Sequence, residues 1–231
     1  MKMNDHAILI TGGATGIGFA MAKWFHAKGN EILICGRRED RLAQAAKELP
    51  GIKIIQCDVA DPNDRTALFE YVQDQFPNMN ILINNAGLQR DIDLTKGMRD
   101  FESGDNEIRT NLEAPVFLSA LFTPMLSNKA NAAIVNVSSG LAFLAERVTG
   151  MPVYTATKAG LHAFSITQRI QLAPLGIRVI EIIPPAVQSE LNAEGRKKRG
   201  GQSHMITSDE FVEKALAMME QGIDEIRADG R

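Results

Sequence analysis

The chain has little of what marks several functional classes. Its two cysteines, Cys35 and Cys57, lie inside apolar segments without CxxC or metal-ligand spacing. That excludes a disulfide scaffold and suits small buried thiols in a reducing compartment. Positive charge is not in excess: the formal net charge is -3, and the one dense cationic run is Arg196-Lys197-Lys198-Arg199. A phosphate backbone has no basic face to bind, so nucleic acid is not an expected partner. No apolar run approaches the ~20 residues that span a bilayer. The stretch 114–126 is shorter and broken by Ser119, Thr123 and two prolines, which reads as a buried helix, so no membrane partner is expected. The segment from Met1 to the first strand-like run lacks the basic-then-apolar layout of a signal peptide, and a cytoplasmic location is expected. The histidines, His6, His26, His162 and His204, are isolated and without ligand spacing, so no metal is expected.

What is present is alternation. Short apolar runs at 7–10, 31–35, 53–56, 81–84, 133–137 and 178–183 are rich in Ile, Leu or Val and read as strands. Helix-period segments lie between them near 17–28, 39–48, 62–75, 105–127 and 153–172, with another near 208–220. That order predicts an α/β fold, a doubly wound parallel sheet with helices on both faces. With 231 residues, 45% hydrophobic, one domain over 1–231 is expected. Pro62 after Asp61 marks a helix start, and Pro115 and Pro124 are expected to bend the long fourth helix. The composition shifts at 188–206, toward charge and glycine, which fits either a surface loop or a substrate lid. The tail 224–228 is at best a short edge strand.

The first strand ends in Thr11-Gly12-Gly13-Ala14-Thr15-Gly16-Ile17-Gly18 and opens a helix. Glycines there allow a sharp turn and a close approach to a pyrophosphate, which the helix N-terminus attracts; a tight turn without ligand is the competing reading. After the second strand comes Gly36-Arg37-Arg38, where an NAD-binding fold would place an acidic residue. A guanidinium suits the 2'-phosphate of NADP, with Arg37 the first choice and Arg38 the second; two solvated residues opening a helix is the alternative. Asp58 is placed to meet the adenine edge. Asn84-Asn85-Ala86-Gly87 ends the fourth strand, as either a ribose-binding cluster or a structural turn.

Val137-Ser138-Ser139 ends the fifth strand, and Tyr154-Thr155-Ala156-Thr157-Lys158 follows in a helix. Residues i and i+4 share a helix face, so Lys158 lies beside Tyr154. A free phenol has a pKa near ~10, and a neighbouring ammonium is expected to lower it toward useful acid/base range. Ser139 can donate to a substrate oxygen, with Ser138 as the weaker alternative. His162, one turn beyond Lys158, reads as a packed or interface histidine rather than a catalytic one.

The order of these motifs closely resembles the short-chain dehydrogenase/reductase family across nearly the whole chain: TGGATGIG at 11–18, CDV at 57–59, NNAG at 84–87, VSS at 137–139 and YTATK at 154–158. The resemblance implies a Rossmann-type fold and a catalytic set of Asn111, Ser139, Tyr154 and Lys158, with Asn111 holding a water for proton relay. It implies a cofactor site of Thr11, Gly12, Thr15, Gly16, Ile17, Gly18, Arg37, Arg38, Asp58, Val59, Asn85, Ala86 and Gly87. Tyr154, Lys158, Pro184, Val187 and Ser189 complete that site. NADP(H) is the preferred cofactor, with NAD(H) the alternative, and the reaction is carbonyl–alcohol interconversion with Tyr154 as general acid/base.

Three features depart from the family pattern. Pro185 stands where glycine is usual, a variant that resembles the DltE-like oxidoreductase subgroup. The span between Ser139 and Tyr154 is longer, so 140–153 must bulge, and the chain ends early. Gln89, Leu141, Phe143, Met151 and Ala186 form a mostly apolar candidate pocket wall for a small or medium carbonyl compound. Family resemblance also implies a homodimer or homotetramer built on the fourth and fifth helices, through Phe117, Leu121, Phe164 and Ile170. Competing readings are a non-catalytic NADP(H)-binding redox sensor, which would need no catalytic tetrad, and a nucleotide-sugar epimerase, for which the C-terminal portion is short.

Overall fold

In the computed structural model, seven strands form one parallel sheet in the order β3-β2-β1-β4-β5-β6-β7. All residues are described except 1, 103, 105, 148, 199, 201–204 and 228–231. His204, Arg199 and Ala228 therefore lie outside the described residues. The strands are β1 Ala7–Thr11, β2 Glu31–Gly36, β3 Lys53–Gln56, β4 Ile81–Asn84, β5 Ala133–Val137, β6 Arg178–Ile183 and β7 Glu225–Arg227. The helices are α1 Gly16–Ala27, α2 Glu39–Glu48, α3 Pro62–Gln75, α4 Ala114–Leu126, α5 Pro152–Leu172, α6 Ala193–Lys198 and α7 Ser208–Glu220.

The near-continuous apolar strands follow from burial on both faces. Side chains alternate along β1, so Ile8 and Ile10 join Phe25, Ile34 and Phe211 on one side, while Leu9 joins Leu33, Leu68, Val72 and Phe122 on the other. Cys35 and Cys57 are buried free thiols in the second cluster. Burial and the neighbouring Cys57 push the Cys35 thiol well above its usual range, Cys57 contributing first. At the start of α3 the Asp61 carboxylate accepts from the Asn63 N–H at 2.7 Å, with Pro62 in the first turn. No helix among the described residues is long and apolar enough to cross a membrane.

The fourth helix differs from the expected continuous span. A π-helical segment, Arg109–Glu113, precedes α4, and the Ala114 N–H bonds the Arg109 carbonyl, five residues back. Pro115 explains the change: it has no N–H to return to the Asn111 carbonyl, so the regular ladder fails there. Pro124 lies inside α4 without ending it. The expected bulge at 140–153 takes the form of two 3-10 turns, Gly140–Phe143 and Ala145–Arg147. β7 pairs with β6 in parallel through Ile226. The segment 188–206 leaves and returns at a Val187–Ile206 bridge and carries α6 between.

Sheet order reverses between β1 and β4, and the crevice beyond the carboxyl ends of those strands is where such sheets bind ligands. The glycine-rich turn and Asn85-Ala86-Gly87 both open there.

Candidate active site

A cleft of about 1200 Å³ runs along these strand ends. At one end sits the glycine-rich turn. Gly12 has φ +63°, and a Cβ there would lie 2.9 Å from the Ala86 backbone; a Cβ on Gly18 would lie 2.3 Å from the Gly12 carbonyl. Glycine is thus required by close approach, not merely by flexibility. Thr11 Oγ1 accepts from the Asn85 and Ala86 N–H groups, each at 3.0 Å, and donates to the Ile83 carbonyl at 3.3 Å. Asn85 Nδ2 returns bonds to the Thr11 and Gly12 carbonyls at 2.9 and 3.2 Å. The two turns are therefore one braced unit. Thr15, the residue before α1, makes no side-chain cap, and the first turn has no acidic residue. The N–H groups of that turn have no intrahelical partner, which favours an anion.

Gly12, Thr15, Gly16, Ile17, Arg37, Arg38, Asp58, Val59, Asn85, Ala86, Gly87, Pro184, Val187 and Ser189 all line the cleft. Thr11 and Gly18 do not; they stand behind its wall as brace and packing contact. At the basic corner, Arg37 lies 3.9 Å from Asp58. Arg38 reaches Thr15 Oγ1 at 3.4 Å and pairs with Glu190 at 2.9 Å. Arg41, one helical turn on, pairs with the same carboxylate at 2.9 Å. Nothing lies within 4 Å of a Cβ placed on Gly36, so the corner is open.

At the other end, Ser139, Tyr154 and Lys158 are buried in the wall and line the same cleft. Lys158 Nζ lies 5.9 Å from the Tyr154 ring centroid and donates to the Val137 carbonyl at 2.8 Å. Ser139 Oγ accepts from the Leu141 N–H at 3.2 Å. Ser138 is committed elsewhere: its hydroxyl donates to Glu181 at 2.5 Å, leaving Ser139 as the serine beside Tyr154. Burial pushes the Tyr154 phenol up to about 12, with Ser139 lowering it and Glu107 raising it. Burial also pushes the Lys158 ammonium down to about 8, with Glu181 opposing. The phenol is therefore raised, not lowered as expected from the neighbouring lysine, because desolvation disfavours the charged form of each group.

Asn111 is fully buried and does not line the cleft. Its side chain is engaged: Oδ1 accepts from the Leu88 N–H at 2.8 Å, and Nδ2 donates to the Leu88 carbonyl at 2.8 Å and to Thr157 Oγ1 at 3.2 Å. It closes the back of the site, near both Gly87 and α5. Its main-chain carbonyl is the one that Pro115 cannot engage.

Gln89, Leu141, Phe143, Met151 and Ala186 line the cleft, as the pocket-wall reading expected, but Arg227 joins them, stacked 4.2 Å from the Phe143 ring. The isolated histidines are not all isolated in space. His162 Nδ1 meets Glu181 at 2.8 Å, and one ring nitrogen of His162 and one carboxylate oxygen each of Glu181 and Glu225 lie within 4.8 Å of one another. Arg41, Glu190, Arg227 and the Glu181–His162 pair escaped the sequence reading. Arg41 had a signal, its one-turn spacing from Arg38. Glu181 had one too, as a charge inside an apolar strand. Glu190 and Arg227 reach the cleft through tertiary contacts that spacing does not encode.

The model for short chain dehydrogenases matches residues 6–200. The uncharacterized oxidoreductase DltE of Bacillus subtilis (strain 168) is 49% identical over 226 residues, covering 98% of this chain and 89% of that one. A short-chain dehydrogenase from Sphingobium yanoikuyae in complex with NADPH superposes with a TM-score of 0.79 at 27% identity, over 96% of this chain and 87% of that one. A short chain dehydrogenase/reductase from Burkholderia phymatum in complex with NAD, 19% identical, shares the fold with a TM-score of 0.86 over 99% and 90% of the two chains. The chain belongs to the short-chain dehydrogenase family and is DltE-like within it.

Proposed function

We propose that the chain is an NADP(H)-dependent oxidoreductase that interconverts a carbonyl and an alcohol, with Tyr154 as general acid/base. The observation that carries this reading is the convergence of Ser139, Tyr154 and Lys158 on the cleft that also holds the glycine-rich turn.

The residues present fit a nicotinamide dinucleotide. The Gly12 cradle, which a Cβ would fill, and the α1 N-terminus suit a pyrophosphate. Arg37 and Arg38, with Arg41 beside them, suit a ribose 2'-phosphate, which favours NADP(H) over NAD(H). Similar proteins bind either form, NADPH in the Sphingobium yanoikuyae dehydrogenase and NAD in the one from Burkholderia phymatum, so the preference rests on the arginines. When bound, the cofactor supplies or accepts hydride.

The chain's own groups handle the proton. With its phenol near 12, Tyr154 is protonated at neutral pH and holds the proton that a reduced carbonyl oxygen needs. Ser139 hydrogen-bonds Tyr154 and is placed to share the substrate oxygen, fixing its orientation. Lys158, anchored on Val137, supplies positive charge beside the phenol, so the phenolate left after transfer is stabilised. Asn111 locks the Leu88 backbone against α5, and by resemblance to the family it holds a water for proton relay. Alcohol oxidation runs the same path in reverse.

The substrate is a small or medium carbonyl compound held against Leu141, Phe143 and Met151. The chain works as a homodimer or homotetramer through the outer faces of α4 and α5, and a cytoplasmic setting suits its free thiols. The test is NADPH and NADH consumption over aldehydes, ketones and dicarbonyls. Saturable turnover with NADPH favoured supports the reading; cofactor binding without turnover on any class favours the redox-sensor alternative.

A further inference from the structure

β6 carries one charge in its buried stretch. Glu181 is fully buried, flanked by the apolar Ile180 and Ile182, and a carboxylate in that position is unfavourable unless its charge is answered. Its two oxygens both accept, Oε1 from Ser138 Oγ at 2.5 Å and Oε2 from His162 Nδ1 at 2.8 Å. Both carboxylate oxygens are thereby engaged. Lys158, also buried, lies one turn before His162 on α5 and donates to the carbonyl of Val137, the residue before Ser138, so both groups that hold Glu181 adjoin the lysine or its anchor. Glu181 acts on that ammonium through space, opposing the effect of burial.

The other ionisable groups around this pair do not fill the same role. Tyr154, one turn before Lys158 on α5, is held neutral, and Glu107 bears on Tyr154. From β7, Glu225 approaches His162 and is itself bridged to Arg227 at 2.8 Å. Arg178, at the opposite end of β6, is bound to Asp224, and Arg169 donates to the Val179 and Asp224 carbonyls. Glu181 is therefore the acid nearest in function to Lys158, and Ser138 ties it to the residue adjoining Ser139.

We propose that Glu181 is a positioning residue, whose buried carboxylate, held by Ser138 and His162, supplies the counter-charge to the Lys158 ammonium. The consequence for turnover rests on the carbonyl-reduction reading; the electrostatic pairing does not. Loss of the carboxylate leaves the lysine neutral over more of the working pH range, and the phenolate loses its stabilising charge.

The test is a 13C NMR titration of lysine Cε in the full chain, without cofactor or substrate, with the Lys158 signal identified by its loss in Lys158→Arg. The parent midpoint is expected near 8. Glu181→Gln, which keeps shape and hydrogen bonding, is expected to lower it by about one pH unit. Glu181→Asp, which keeps the charge, is expected to restore most of that loss. The alkaline limb of kcat/KM should move in step with the midpoint. An unchanged midpoint in Glu181→Gln, or an equal fall in both variants, overturns the proposal. Should Glu181→Gln fail to fold, the parent alone decides: the Glu181 Cδ resonance must inflect at the Lys158 midpoint, and a flat trace there overturns the pairing. Because the titration needs no carbonyl, failure to find turnover would count against the proposed function and leave this result standing.

Discussion

Tyr154 and Lys158 stand one turn apart on α5, with the lysine nitrogen 5.9 Å from the phenol ring centroid, and burial drives the two toward neutrality from opposite directions. Each is costly to fold in its charged form. The pair is a store of electrostatic strain.

That strain makes stability depend on pH. An unfolded lysine titrates near ~10.4, whereas folded Lys158 titrates at about 8. Between those values the unfolded state binds more protons, so stability rises with pH. Tyr154 acts in the other direction: its folded value near 12 exceeds the unfolded ~10, so stability falls as pH rises through that window. Lys158→Met should stabilise the protein at pH 7 by about 1–3 kcal/mol, the lysine shift less the lost Val137 bond. The gain should vanish above about pH 10. Urea unfolding at pH 7 and at pH 10 reads both, and a destabilised variant at pH 7 would contradict the burial argument.

The basic corner carries a second prediction. Glu190 occupies Arg38 and Arg41 together, at 2.9 Å from each, and on the proposed NADP(H) reading a 2'-phosphate displaces it. Glu190→Gln should tighten NADPH about three- to tenfold while leaving NADH nearly unchanged, since the exposed pairs are individually weak. Arg38→Ala should remove most of the preference. Fluorescence titration of both cofactors at low and high salt checks this; an equal effect on NADPH and NADH would contradict it.

Gly18→Ala tests the braced turn. Its Cβ would meet the Gly12 carbonyl oxygen at 2.3 Å and Asn85 Nδ2 at 2.4 Å. The backbone must shift, at about 1–3 kcal/mol, and NADPH affinity should fall at least tenfold even though Gly18 does not face the cleft. Thermal unfolding and cofactor titration together report the two effects.

Assembly is tested on the outer helical faces. Phe117 on α4 is 52% exposed and Ile170 on α5 is 73% exposed, large apolar areas for a monomer surface. Leu121 and Phe164 are only half-buried beside them. Light scattering should give a dimer or tetramer, and Ile170→Glu should shift it toward monomer.

Much of this architecture is legible in the sequence because strong local signals agree with the tertiary fold. The central strands β1, β4, β5 and β6 are short apolar runs buried in a parallel sheet, so composition and burial coincide, as at Ile8, Leu9 and Ile10. The π-helical segment at Arg109–Glu113 was not read, because its cause is a missing N–H at Pro115 rather than a change in apolar spacing. The cleft-facing residues of the glycine-rich turn follow from local geometry. The role of Thr11 as a brace needs β4 beside β1, and the Glu181–His162 contact needs α5 packed on β6. The direction of the Tyr154 pKa also escaped local reasoning: spacing places Lys158 nearby, but only the packed site shows that desolvation dominates.

The most direct test of the central claim is NADPH oxidation over a panel of aldehydes, ketones and dicarbonyls by the parent protein and by Tyr154→Phe. The account predicts turnover by the parent and a fall in kcat of about 10²–10⁴-fold in the variant, with NADPH binding retained. Equal turnover by Tyr154→Phe would contradict the assignment of the proton to that phenol.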